Sequence, residues 1–125
     1  MGMCRVWRDG QEIARNVRIA DNFIKRFKGL LFDNELLEEQ GLLIVPCSQV
    51  HAIGMKFSID VVFLSKSGEV IHTESDMIPG VIGPHIRNCN RILELKDGTI
   101  RKKRIARGQR IAFGPVKETV GKRGV

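Results

Sequence analysis

The chain has 125 residues, enough for one domain with a substantial core, and 42% of them are hydrophobic, as in an ordinary soluble protein. No apolar run approaches the roughly 18 to 20 residues that cross a bilayer as a helix, so no membrane partner is expected. The formal net charge is +7, from 21 Lys/Arg against 14 Asp/Glu, and the three cysteines, Cys4, Cys47 and Cys89, form no CxxC pair. With an odd number of cysteines and no apolar signal core in "MGMCRVWRDGQEIARN", free thiols and a cytoplasmic location are the expectation.

In chain order, "CRVWRDGQEIAR" flanks Asp9-Gly10, a pair suited to the positive φ angles of a hairpin turn. Residues 4–8 and 11–19 are therefore expected to be antiparallel strands. Asp21 can cap a helix whose face carries Phe23, Ile24 and Phe27 and which Gly29 can end. "DNELLEEQG" offers a second helical turn closed by Gly41. From Leu42 the period changes: "LLIVP" reads as a buried strand ended by Pro46, "IDVVFL" as another, and "EVIHTES", with His72, as a third after the turn "SKSG". "MIPGVIGPH" is an irregular loop, "NRILEL" a strand, and "TIRKKRI" a helical turn or edge segment. "QRIAF" is the last strand. Residues 1–114 form one β-rich domain, and 115–125 a basic tail expected to fray. The sum predicts a compact antiparallel β-barrel or sandwich with one or two short helices near the N-terminal third.

The charge is unevenly spread. Residues 1–81 carry nine Lys/Arg and eleven Asp/Glu, whereas residues 82–125 carry twelve and three. Arg101, Lys102, Lys103, Arg104, Arg107 and Arg110 form a basic run that can meet a polyanion through phosphates or can simply be a solvated face. No aromatic residue falls between positions 64 and 112, so a base-stacking platform beside the run is not expected. Nucleic acid, if bound, is expected to be held in a salt-sensitive and sequence-blind way.

The order "FIKRFKGLLF", "GLLIVPCSQVHAIGMKFSIDVVFLSKSGEV" and "RILELKDGTIRKKRIARGQRIAF" resembles the domain-of-unknown-function 192 family, also called the uncharacterised ACR family, over residues 11 to 114. The features that carry the resemblance are Arg26 before Gly29-Leu30, the strand Gly41 to Val45, and Met55-Lys56. Ile59-Asp60, Leu93 to Leu95, and Gly108 to Phe113 complete them. The resemblance implies a compact, mainly β domain with a jelly-roll-like or barrel-like core, and no assigned activity. This chain departs from the pattern at Ser58 and at Lys96-Asp97-Gly98, and no signal peptide is expected from its opening residues.

"PCSQVHAIGMKFSID" concentrates the residues with chemical potential. On a helix Cys47 and His51 lie about 6 Å apart along the axis, and on a strand about 13 Å. The resemblance implies the extended form, which separates them. His85 and Cys89 are again four apart, so Cys47, His51, His85 and Cys89 supply the donor types of a tetrahedral zinc site. A thiol enzyme would use Cys47 as nucleophile, His51 as base and Asp60 to orient it, yet no flanking signature of such an enzyme is present. Buried cysteines and a hydrogen-bonded core histidine are the ordinary reading, as is Met55 as core filler. Glu94 alternates away from Leu93 and Leu95 and is expected to point outward. Paired instead with Asp60 in a barrel mouth, it would supply an acid and a base.

The leading expectation is a binding module without catalytic activity or cofactor. Its site for a small ligand or peptide would involve His51, Met55, Asp60 and His85, between residues 47–60 and the 77–89 loop. The alternatives are a polyanion-binding protein and a metal- or thiol-dependent site around Cys47 and His51.

Overall fold

The computed structural model describes residues 2–20, 35–50 and 55–116. Seven strands and one short helix follow in the order β1 (Met3–Arg8), β2 (Gln11–Ala20), β3 (Gln40–Ile44), β4 (Ile59–Leu64), β5 (Val70–Met77), β6 (Arg91–Lys96), α1 (Thr99–Lys103) and β7 (Ile111–Gly114). The hairpin turn is the expected one. Asp9 and Gly10 both have positive φ, at 50° and 84°, and Arg8 faces Gln11 across the turn.

All seven strands belong to one sheet, in the order β5-β4-β6-β3-β2-β1-β7. This single sheet curls into a half-barrel, in place of the two facing sheets of a jelly roll. Its outermost strands meet at one end, where Glu69 bridges Arg110. There Val70 N–H donates to the Gln109 carbonyl, and Ile111 N–H donates to Gly68, each at 2.8 Å. Gly68 has a φ of 94°, and a Cβ there would stand 2.6 Å from the Ile111 carbonyl oxygen, so the seam itself requires glycine.

One pairing departs from the antiparallel expectation. β2 and β3 run parallel, from Asn16 opposite Gln40 to Ala20 opposite Ile44. The chain between them is long enough for the crossover that a parallel pair needs. Most of that connection, including the expected helix after Asp21, lies outside the described residues. The second expected helical turn is corrected in part: residues 35–39 are coil and turn, and Gly41 sits inside β3. Gly41 is needed there because its Cβ would meet the Glu94 carbonyl oxygen at 2.7 Å. The described helix instead lies between β6 and β7.

The core has two parts, one on each face of the sheet. Val62, Leu64, Leu93, Leu95 and Ile100 fill the inside of the curl together with Val6, Ile13 and Val17. Ile59, Val61, Phe63, Ile92, Leu42 and Ile44 form a second cluster on the other face. Loop residues Cys47, Val50 and Ile86 cover that second face. β4 is consequently buried along its whole length, which is why "IDVVFL" is apolar on both faces except at Asp60 and does not alternate.

Candidate functional site

Asp60 is 1% exposed and lies on the inner face of β4, in register with Leu95. Its Oδ1 accepts the Asp76 N–H at 2.9 Å. Its Oδ2 accepts the N–H groups of Gly98 at 3.1 Å and Ile100 at 2.8 Å. Asp76 occupies the left-handed region with φ 57°, and α1 has no side-chain cap of its own at Gly98. The carboxylate therefore fastens an irregular point of β5 and serves the unpaired amides at the start of α1. Asp60 also lines an open cavity of about 270 Å³ with Ser75, Asp76, Asp97, Gly98 and Arg101. Burial raises the Asp97 pKa above the ordinary carboxylate value, and the neighbouring Asp76 and Asp60 raise it further.

Glu94 does not join this group. It pairs with Val61 across the β4–β6 ladder, whereas Asp60 pairs with Leu95, so the two carboxylates lie on opposite faces of the sheet. Glu94 takes the face that alternation assigns to it, opposite to that of Leu93 and Leu95. Its outward exposure needs correction, because Glu94 is 2% exposed. The acid–base pairing of Asp60 with Glu94 is thereby removed.

The cover is made by residues 46–50 and 83–90, which lie side by side. Gly83 N–H donates to Val50 at 2.9 Å, Ile86 N–H to Ser48 at 3.0 Å, and Cys47 N–H to Asn90 at 2.8 Å, all at carbonyl oxygens. The Gln49 side-chain amide donates to the Gly83 carbonyl at 2.9 Å. At the foot of this pair an open cavity of about 220 Å³ is lined by Pro46, Cys47, Ser48, Cys89 and Asn90. The Cys47 thiol donates to the Gln49 carbonyl at 3.1 Å. That of Cys89 donates to the carbonyls of Cys47 at 3.4 Å and Arg91 at 3.3 Å.

Cys47 and Cys89 are thus brought together, and neither is in a disulfide. Burial raises the Cys89 pKa, backbone hydrogen bonds at Leu64 and Arg91 oppose this, and Cys47 adds to the rise. That thiol is held protonated, the reverse of what a nucleophile needs. Cys47 belongs to the outer cluster and Asp60 faces inward, so Asp60 is not placed to orient a base beside Cys47. His51 lies outside the described residues. His85 is exposed and does not line the cysteine cavity. Among the described residues no group of three or more His, Cys, Asp or Glu side chains is arranged to hold a metal ion. Met55 packs against the outer cluster, as core filler does.

The basic run divides between α1 and the turns after it. Arg101, Lys102, Arg104, Arg107 and Arg110 are exposed, and Lys103 is half-buried. Lys102 pairs with Glu38 at 2.7 Å, and Arg110 donates to the Ser67 carbonyl at 3.3 Å. Among the described residues the other four make no ion pair. Among the described residues no helix is long and apolar enough to cross a membrane.

Two features escaped sequence reasoning. One is the gathering of Asp76, Asp97 and Arg101 around Asp60, since "KDG" read correctly as a turn but gave no sign of what it faces. The other is an apolar rank on the 78–90 loop, where Ile78 is 54%, Val81 37% and Ile82 65% exposed. The signal for it was available in "MIPGVIGPH", which puts three aliphatic residues among turn formers.

Comparison with known proteins agrees with the fold. The family model described as DUF192, uncharacterized ACR, matches residues 5–113. A UPF0127 protein of Pyrococcus furiosus is 40% identical over 67 residues, which is 50% of this chain and 56% of that protein, so the match spans little more than half the relative's length. A solved structure of a protein of unknown function from Novosphingobium aromaticivorans is similar with a TM-score of 0.74 at 18% identity, over 88% of this chain and 83% of that one. A candidate transcription regulator from Sinorhizobium meliloti is similar with a TM-score of 0.68 at 17% identity, over 90% and 96%.

Proposed function

We propose, for a chain that belongs to the uncharacterised ACR (DUF192) family, that it is a binding module for a short apolar peptide segment, received on the 78–90 loop. One observation carries the reading: Ile78, Val81 and Ile82 stand exposed at the start of a loop whose following residues Gly83, Ile86 and Asn90 are fastened by backbone hydrogen bonds to residues 46–50. Exposed aliphatic groups on a fixed backbone mark a contact surface, because little ordering entropy is lost when a partner covers them. The test is to pan a displayed random peptide library against the protein and against Ile82→Asp. Peptides rich in aliphatic and aromatic residues are expected, with retention falling about tenfold or more on the variant. No enrichment, or equal retention by both proteins, would overturn the reading.

A second reading is favoured by the five basic side chains of the 101–110 run that make no ion pair among the described residues, Arg101, Lys103, Arg104, Arg107 and Arg110. In it the 101–110 run contacts a nucleic-acid backbone through phosphates alone. Retention on immobilised DNA should fall steeply with salt, with a slope of about −0.9 per phosphate neutralised, and should fall further when residues 101–104 are changed to Gln. Retention that ignores salt, or that the variant keeps, counts against it.

A further inference from the structure

We propose that Cys47 and Cys89 together form a site for a soft, thiophilic cation of the copper(I) class, bound in the open cavity between the 46–48 and 89–90 segments. The two residues are 42 positions apart, yet their segments are joined by the Cys47 N–H bond to Asn90, and the Cys89 sulfur lies 3.4 Å from the Cys47 carbonyl oxygen. Both line one cavity of about 220 Å³, ample for an ion. Soft thiolate donors select copper(I) over harder cations, and a linear two-sulfur arrangement satisfies it without a third protein ligand. Among the described residues no carboxylate lines the cavity, whose two thiols are not the donors that magnesium or calcium prefers.

Charge is consistent with this assignment. Two thiolates on a monovalent cation leave one net negative charge. The Arg91 guanidinium bonds to Asn90 Oδ1 at 3.3 Å, which places a positive charge beside a residue of the cavity wall. On binding, each thiol releases its proton to solvent and each sulfur donates an electron pair to the metal. No electron is transferred, and the ion keeps its oxidation state. The thiol hydrogen bonds to the carbonyls of Gln49, Cys47 and Arg91 are given up in exchange for the two sulfur–metal bonds. The site is independent of the exposed aliphatic rank and stands or falls apart from it.

Anaerobic titration of the full chain with copper(I) against bicinchoninate tests the assignment. One ion per chain is expected, with affinity about 100-fold or more lower in Cys47→Ser and in Cys89→Ser, and unchanged in Cys4→Ser. Two displaced protons should make the wild-type affinity rise by about 100-fold per pH unit below the thiol pKa values. Should the serine variants fail to fold, the wild type alone decides. Copper(I) should protect Cys47 and Cys89, and not Cys4, from alkylation read by peptide mass mapping. No competition with the chelator, or protection that does not distinguish Cys4, would overturn the proposal.

Discussion

Asp60 and Arg8 hold the same five-residue helix from its two ends. Asp60 accepts the Gly98 and Ile100 amides at the start of α1, and the Arg8 guanidinium donates to the carbonyls of Lys103 and, at 2.8 Å, Arg104 at its finish. A negative group at the amino end and a positive one at the carboxyl end both complement the helix dipole. A helix this short does not persist alone in water, so the two clamps and the burial of Ile100 maintain it.

Removal of the Asp60 carboxylate takes the acceptor from three backbone amides, of which that of Ile100 is buried. Asp60→Ala is expected to cost about 3 kcal/mol or more, and Asp60→Asn less, since one acceptor oxygen survives. Urea unfolding checks this, and a loss below about 1 kcal/mol for the alanine variant would refute the role given to Asp60. Arg8→Ala, at the exposed end, should cost about 1 kcal/mol.

The pH dependence follows from Asp97. Its folded-state pKa is raised above 3.8 by burial and by Asp76 and Asp60, so the folded state binds more protons than the unfolded state just above that value. Its contribution to stability is therefore greatest when Asp97 is protonated and declines as pH rises through the raised pKa. Glu12 acts oppositely. Hydrogen bonding to Arg5 lowers its pKa, so its contribution is present above 4.5 and disappears as pH falls through the lowered value. Comparing thermal melts of wild type and Asp97→Asn from pH 3 to 7 isolates the first effect. The variant should be the more stable at pH 7, by about 0.3–1 kcal/mol because the group is exposed, and the advantage should shrink toward pH 3. An advantage that stays constant across the range would contradict this.

At the seam, Gly68→Ala combines a left-handed φ with a contact of 2.6 Å to the Ile111 carbonyl. A loss of about 2 kcal/mol is expected, together with faster amide exchange at Val70 and Ile111, whose N–H groups bridge the two outermost strands. Unchanged exchange at those two amides would mean that the seam does not depend on this glycine.

The exposed rank should be separable from the fold. Ile82→Asp and Ile78→Ser are expected to change unfolding free energy by less than about 0.5 kcal/mol, whereas Phe63→Ala, fully buried, should cost about 3–5 kcal/mol. Destabilisation by Ile82→Asp comparable to that of Phe63→Ala would assign the loop to the core.

Local features were legible in the sequence, and distant ones were not. Asp9-Gly10 specifies its turn through backbone conformation alone, and each strand was visible from its own residues. The partners of Asp60 lie 16, 38 and 40 positions away, and no spacing rule announces a carboxylate that serves a remote helix. The union of Cys47 with Cys89 has the same character, since it depends on two loops that meet over the outer sheet face. Glu94 shows a subtler limit: alternation fixes which face a side chain takes, and whether that face meets water depends on elements elsewhere in the chain.

Among the described residues the half-barrel is joined at one end alone, and nothing pairs with the outer side of residues 71–77. An unzipped margin of this kind invites another strand to dock there. Glu74 and Asp76 put negative charge along it, and the irregularity at Asp76 turns the backbone out of line. The same aspartate clamp that orders α1 thereby helps keep two copies of the molecule from zipping together.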